Sequence, residues 1–353
     1  MRQFSHAGQW WVIPPGPSNS IADVEGVTVG HASLMDGSAR TGVTALLPHG
    51  GDLFRQRPPA GAAILNGFGK SLGLIQVQEL GEIETPILFT NTFSVHACAS
   101  ALIRSAIAAN PAIGRRDSTV NPLVFECNDG QINDIQSLAV TEALALEAIG
   151  NAASNFAQGT IGAGTGMKTF GMAGGIGSSS RTVLLPGGSA FRLGALVLSN
   201  FGQASEFRVF GHRIAPQGIA RAMEPDKGSI IVVFATDAPM ESRQLTRLAK
   251  RAGAALGRLG SHLGHGSGDI ALAFSTANCR DMTAKDDVVT ASRLPEQHMN
   301  AFFHAAVEAT EEAVLNALWH ATPIEGYSGR KLPILRDLLA ADAFFGNPDL
   351  AGS

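Results

Sequence analysis

Residues 229–237 read SIIVVFATD. The apolar run from Ile230 to Ala235 begins with four β-branched residues and has the length of a strand. It lacks the polar alternation of a sheet with one wet face, so both of its faces must be covered. A chain built around such a strand is layered, with other elements packed on each side. The front of the strand is unusual. A polar turn, Pro225-Asp226-Lys227-Gly228, gives way directly to Ser229, so a serine stands between a glycine and a core strand.

Other stretches supply candidates for the layers. DVEGVTVGHASL from Asp23 alternates like a strand, and TGVTALLPHG from Thr41 and GAAILNGFGK from Gly61 read as strands running into turns. PILFTNT, Pro86 to Thr92, is a buried strand candidate, and ALVLSNFG from Ala195 is another. PLVFECNDGQIND, Pro122 to Asp134, reads as a strand ending in an acidic turn. Helical spacing and helix-forming residues predict helices over His96 to Asn110, Thr141 to Gln158, Gln244 to Gly264 and Asn300 to Ala321, the last two amphipathic. The proline-rich start (Pro14, Pro15, Pro17) is expected to lie over the surface. Strands and helices do not alternate as regular βαβ units, which predicts a layered α/β sandwich over a doubly wound sheet.

Size and charge narrow the function. With 353 residues, 45% hydrophobic and 16% charged, the chain can bury a substantial core in one large domain or two. A net charge of −4 disfavours a nucleic-acid surface. Cys98, Cys127 and Cys279 are too few and too scattered for a disulfide framework or a zinc site. The first twenty residues hold no continuous apolar stretch, so no secretory signal is expected. No apolar run was found of the ~18 residues a membrane span needs, so a soluble, cytoplasmic protein is expected.

Glycine clusters invite a phosphate reading that the residues do not sustain. GTIGAGTGMKTFGMAGGIGSSSR, from Gly159, offers only the first half of a dinucleotide fingerprint, with no clean helix after it, and no P-loop ending occurs. A glycine-rich hairpin beside a site that backbone must approach closely is the plainer reading, and no nucleotide or other cofactor is expected. His262 and His265 lie three apart, but Gly264 and Gly266 make that stretch a loop, and no metal is expected. HGSGD lacks the elbow spacing of an α/β-hydrolase serine.

The chemistry therefore returns to Gly228-Ser229. A serine hydroxyl is a weak nucleophile at neutral pH and needs a base. A serine that becomes an N-terminus carries its own, because an α-amine titrates at about 7.7–8.0. That requires a cut before the serine, and glycine at the preceding position leaves its carbonyl open to attack. On the dipeptide alone, a plain turn entering a strand is the favoured reading, because Gly-Ser before a strand is common.

The wider sequence resembles the family of the D-aminopeptidase DmpA and the β-peptidyl aminopeptidases. The matching stretches are IADVEGVTVGHASL, TGVTALLP, AGAAILNGFGKSLGL, ELGEIETPILFTNT, ECNDGQIND, GTIGAGTGM, GGIGSSSR, GALVLSNFGQ, GSIIVVFATDAP and GSGDIALAFSTAN, in the family's order over roughly residues 20 to 330. The resemblance implies a self-processing N-terminal-nucleophile hydrolase. It implies a four-layer α/β/β/α sandwich with two packed central sheets, one domain over residues 1–353, cleaved into chains 1–228 and 229–353. Its cleavage site would be Gly228-Ser229, with Ser229 the nucleophile. Asn200 would contribute to an oxyanion hole, Glu126 would hold the substrate's free amine, and Ser267 with Asp269 would orient the new α-amine. Some relatives carry glutamate where Asp269 stands, and some carry an aromatic residue where Asn128 stands; the only tyrosine is Tyr327. The implied partners are a small peptide, amino-acid amide or ester, and further copies of the paired chains.

Each residue taken alone has another reading: Asn200 as a strand cap, Glu126 as a partner of an arginine, Ser267 and Asp269 as an ordinary turn. Other functional classes stay open as well. They are an acyltransferase of the ornithine acetyltransferase type, which the serine at 229 disfavours, an unprocessed binding or scaffold protein, and a cofactor enzyme using the glycine-rich loops.

Overall fold

The computed structural model describes residues 2, 5–214, 228–342 and 345. The turn residues 225–227 lie outside these; Gly228 and the strand after it are described.

Among the described residues, nine of the strands and five of the helices build the layers. The strands are β1 (Thr28–Leu34), β2 (Thr41–Leu47), β3 (Ala60–Gly67), β4 (Ile87–Asn91), β5 (Leu123–Cys127), β6 (Gly175–Leu184), β7 (Ala190–Asn200), β8 (Ser229–Thr236) and β9 (Gly268–Ser275). The helices are α1 (Val95–Ala109), α2 (Glu142–Gly150), α3 (Ser242–Ala249), α4 (Ala252–Arg258) and α5 (Met299–His320). One sheet has the order β1-β2-β4-β5, the other β3-β9-β8-β7-β6. The pairs β4–β5 and β8–β9 are parallel; the remaining neighbours are antiparallel.

The apolar run of β8 shows how the layers form. Its side chains alternate between faces. Ile231, Val233 and Ala235 meet Leu46, Phe89 and Phe125 of the first sheet, so the two sheets pack face to face. Ile230, Val232 and Phe234 meet Leu245 of α3, Leu256 of α4 and Phe302 of α5 on the other side. The outer face of the first sheet (Val43, Ala45, Leu88, Val124) is covered by Cys98, Ala101 and Leu102 of α1 and Ala145 and Ala148 of α2. The order is helices, sheet, sheet, helices, and β8 is apolar throughout because both of its faces are interior.

Several elements depart from their sequence expectations, each for a tertiary reason. Thr141 caps α2 through its hydroxyl, which accepts the Leu144 N–H at 3.3 Å. The helix stops at Gly150 instead of reaching Gln158, because Ala153 leaves to bridge β1, exchanging 3.0 and 3.1 Å bonds with Val29. The helix expected from Gln244 to Gly264 is two short ones, α3 and α4. The segment Thr92–Ala109 is apolar and long enough to cross a membrane by length and composition alone, a feature missed in the sequence, yet α1 within it lays Cys98, Ala101 and Leu102 on the sheet.

α5 is not amphipathic in the simple sense, because Glu308, Glu311 and Glu312 on it are buried. Arg181 of β6, itself fully buried, reaches Glu308 at 3.0 Å and Glu312 at 2.7 Å. The N-terminal segment supplies the rest. The Val12 and Ile13 N–H groups donate to Glu308, the Trp10 and Trp11 indoles to Glu311, and Arg2 to Glu312. The prolines expected on the surface are there, Pro14 and Pro17 exposed and Pro15 half-buried, while the residues before them are stitched to α5, with Trp11 only 2% exposed.

Candidate active site

Ser229 is the first residue of β8 and is 5% exposed. Its two strand neighbours bring the other sequence candidates to it. Antiparallel β7 ends at Asn200, directly opposite Ser229. Parallel β9 begins at Gly268, also opposite Ser229, so Ser267 and Asp269 flank that partner. The Gly268 N–H reaches Ser229 Oγ at 3.2 Å and the Gly228 carbonyl oxygen at 3.3 Å. Gly228 is required sterically: a Cβ there would lie 2.3 Å from the Asn200 carbonyl oxygen and 2.6 Å from Phe201 Cα.

Asn200 does more than cap a strand. Its Oδ1 accepts the Lys168 N–H at 2.8 Å and its Nδ2 donates to the Asn128 carbonyl at 3.0 Å. One bond takes only an acceptor and the other only a donor, which settles the amide's orientation. A side-chain amide has two N–H groups, so one remains to point elsewhere. The Ser267 hydroxyl donates to Asp269 Oδ1 at 2.6 Å, and both residues are buried. The shorter acid therefore reaches its serine without a glutamate's extra methylene.

Glu126 lies on the first sheet, in β5, and is buried. It has no arginine partner among the described ion pairs. Its oxygens accept the Lys70 N–H at 2.7 Å and the Thr92 hydroxyl. Gly69 ties it to β9, the strand beside that of Ser229: a Cβ there would sit 3.6 Å from Glu126 Oε1 and 3.9 Å from Gly268 Cα. The Phe68 ring on the same loop is exposed, with Lys70 Nζ 4.3 Å from its centroid. Asn128, where some relatives carry an aromatic ring, turns its side chain back to the Gly130 N–H at 2.9 Å and offers its carbonyl to Asn200.

The sequence reading missed Cys127. Its thiol donates to the Ser229 carbonyl at 3.4 Å and the Leu198 carbonyl at 3.6 Å, pinning the Ser229 main chain from the opposite sheet. Burial pushes this thiol well above its ordinary range, and the nearby Glu126 and Asp269 carboxylates push it further, so it is a neutral donor and no nucleophile. The backbone donors Lys70, Lys168 and Gly268 were missed too; a main-chain N–H leaves no trace in residue type. The described partners of His31, His49, His212, His262 and His304 are groups other than Ser229. Among the described residues, no three His, Cys, Asp or Glu side chains gather to hold a metal.

A serine heading a central strand of two face-packed sheets, with an amide and a hydroxyl–carboxylate pair on its neighbouring strands, defines a serine hydrolase of the N-terminal-nucleophile class. The sequence profile described as peptidase family S58 matches residues 19–332, and the chain belongs to that family. It is 38% identical to the β-peptidyl aminopeptidase BapA of Sphingosinicella microcystinivorans, covering 90% of this chain and 86% of that protein. A protein of Pyrococcus horikoshii OT3 of solved structure superposes with a TM-score of 0.89 at 42% identity, over 95% of this chain and 96% of that one. The L-aminopeptidase D-Ala-esterase/amidase of Ochrobactrum anthropi, described as a prototype serine aminopeptidase with a variant Ntn-hydrolase fold, superposes with a TM-score of 0.85 at 34% identity, over 93% and 95%.

Proposed function

We propose that the chain is made as a precursor, cuts itself before Ser229, and then acts as an aminopeptidase on peptides, amino-acid amides or esters that carry a free N-terminal amine. The observation that carries this reading is the Gly268 N–H placed at both Ser229 Oγ and the Gly228 carbonyl oxygen. In the first step Ser229 Oγ attacks the Gly228 carbonyl carbon, and the acyl group moves from nitrogen to oxygen. Water hydrolyses that ester, leaving a Gly228 carboxylate and a free Ser229 α-amine. The N–H on the Gly228 oxygen favours the tetrahedral intermediate, where that oxygen carries charge.

In turnover the neutral α-amine takes the proton of Ser229 Oγ, which attacks the substrate carbonyl. The second N–H of Asn200 donates to the oxyanion. The proton passes to the leaving group, and water then hydrolyses the acyl-enzyme. Ser267 donates its one hydroxyl hydrogen to Asp269, which leaves its lone pairs to accept an N–H of the amine and set its direction. Glu126 receives the substrate ammonium. A buried carboxylate satisfied only by an N–H and a hydroxyl favours a cation and penalises a blocked amine.

The two fragments stay together because β7 of the first pairs with β8 of the second, and β3 with β9. Arg181 likewise joins the first fragment to Glu308 and Glu312 of the second. Intact-mass analysis under denaturing conditions tests the reading. Two chains split at 228/229 are expected from the wild type and one from Ser229→Ala. Active wild-type protein that stays whole after long incubation would refute it.

A further inference from the structure

We propose that Asp129 is a positioning residue for both halves of this site, setting the Asn200 amide through one set of contacts and the Glu126 carboxylate through another. The inference rests on the aminopeptidase reading of the site. Asp129 follows Asn128 in the turn after β5 and is 1% exposed. Its carboxyl is held by neutral groups. Asn133 Nδ2 donates to it at 3.1 Å, and the side chains of Thr41 and Asn91 lie against it, joined to each other by a 2.9 Å bond. Burial in this setting pushes the carboxyl up to about 6. A buried acid kept without a cation is costly, which marks it as a group with a purpose beyond packing.

The first set of contacts leads to Asn200. The Asp129 carbonyl accepts the N–H groups of Ile132 and Asn133, both at 2.9 Å, closing the turn that presents the Asn128 carbonyl to Asn200 Nδ2. Asn133 Oδ1 accepts the Arg40 N–H at 2.9 Å and ties this turn to the start of β2. Gly166 packs on the same residue: a Cβ there would lie 3.0 Å from Asp129 Cβ and 2.2 Å from the Arg40 carbonyl oxygen. Two residues on, Lys168 donates its N–H to Asn200 Oδ1. Of the two backbone groups that grip the Asn200 amide, the Asn128 carbonyl directly precedes Asp129 and the Lys168 N–H follows two residues after Gly166, which packs on it. The glycine-rich stretch acquires a use that no phosphate motif would explain.

The second set leads to Glu126. Thr41 accepts from Asn91 Nδ2, and Asn91 Oδ1 accepts the Phe93 N–H at 3.1 Å, closing the short turn that carries Thr92. The Thr92 hydroxyl donates to Glu126. A shift at Asp129 thus moves the oxyanion donor and the ammonium acceptor together, while a cut in the second path at Thr41 acts chiefly on the latter.

The test compares Asp129→Asn, Asn133→Ala and Thr41→Val with the wild type, on an amino-acyl p-nitroanilide and its N-acetylated form, with cleavage followed by intact mass. Asp117→Asn, which breaks a surface pair with Arg55, controls for lost stability. Asp129→Asn is expected to lower kcat by about tenfold to a hundredfold, the scale on which misplaced reacting groups act, and to shrink the preference for the free amine. Thr41→Val is expected to raise KM with kcat held within about twofold, and Asn133→Ala to lower kcat. If Asp129→Asn does not fold, the other two variants carry the test. The proposal is overturned if Asp129→Asn, or Asn133→Ala and Thr41→Val together, keep wild-type kcat and KM. It is equally overturned if Asp117→Asn at a matched loss of Tm loses as much activity. A wild type that hydrolyses no free-amine substrate defeats the aminopeptidase reading instead.

Discussion

Replacing Asn200 separates catalysis from folding, because this amide makes two structural bonds and, in the proposed mechanism, one reactive one. Asn200→Ala deletes the donor assigned to the oxyanion, and losing one such donor costs about 2.7–4 kcal/mol, or about 10²–10³ in kcat. It also leaves the Lys168 N–H, now bonded at 2.8 Å, without its acceptor in a site that is nearly closed to water. An unsatisfied buried donor costs about 1–3 kcal/mol. In a chain this long that lowers Tm by about 1–4 °C. Asn200→Asp is the sharper companion. Its carboxylate still accepts from Lys168, but its second oxygen then faces the Asn128 carbonyl, where Asn200 Nδ2 donates at 3.0 Å. It also sets a negative charge where an oxyanion must form. Its kcat should fall at least as far as that of the alanine variant. Steady-state kinetics on an amino-acyl p-nitroanilide, normalised to the cleaved fraction by intact mass, measures the effect, and calorimetry gives Tm. The reasoning fails if cleaved, folded Asn200→Ala keeps kcat within about threefold of the wild type.

Further outcomes follow from the same geometry. Glu126→Gln should act on free-amine substrates, raising KM where the contact serves ground and transition state alike, and should leave the N-acetylated substrate nearly unchanged; equal losses on both would remove its ammonium role. With the α-amine as base, kcat/KM should rise with pH through one ionisation, because only the neutral amine accepts a proton. The Asp269 charge favours the ammonium, so Asp269→Asn should move that limb to lower pH and slow the reaction, while single histidine-to-glutamine changes leave it in place. His31 is neutral in the fold, its ionisation pushed down to about 4 by burial. Its unfolded form protonates near 6.5, so its contribution to stability is present above that pH and is lost as pH falls towards 4. His31→Gln should flatten the fall of Tm across that window. Arg181→Met removes the buried cation that Glu308 and Glu312 share, leaving Glu312 with Arg2 and Glu308 with its N–H donors, and should cost up to about 3–5 kcal/mol, whereas adding Glu308→Gln and Glu312→Gln should recover part of it, as read by urea unfolding.

The central strand was legible because its signal is local. Four consecutive β-branched residues behind Gly228-Ser229 leave few alternatives to a doubly buried strand, and the serine's position at its mouth needs no partner to be noticed. The helix of residues 95–109 and the strand of residues 87–91 were legible for the same reason: periodicity and propensity act over one or two turns. The candidate residues Asn200, Glu126, Ser267 and Asp269 stood out only through the family's order of motifs, since no spacing rule links residues on three different strand ends.

What the tertiary structure alone decided are the partners of buried polar groups. Cys127 meets the Ser229 carbonyl across 102 positions of sequence, and Arg181 meets Glu308 across 127. Nothing local foretells such pairs. A glutamate on a helix reads as solvent-facing until an arginine and an N-terminal segment arrive to satisfy it. The same holds for the end of α2, where helical propensity continues past Gly150 but the bridge from Ala153 to Val29 ends the helix. Propensity is a weak, residue-by-residue preference of a few tenths of a kcal/mol. A buried hydrogen-bonding group left unmade costs several times more, so the fold, once assembled, settles these positions against it.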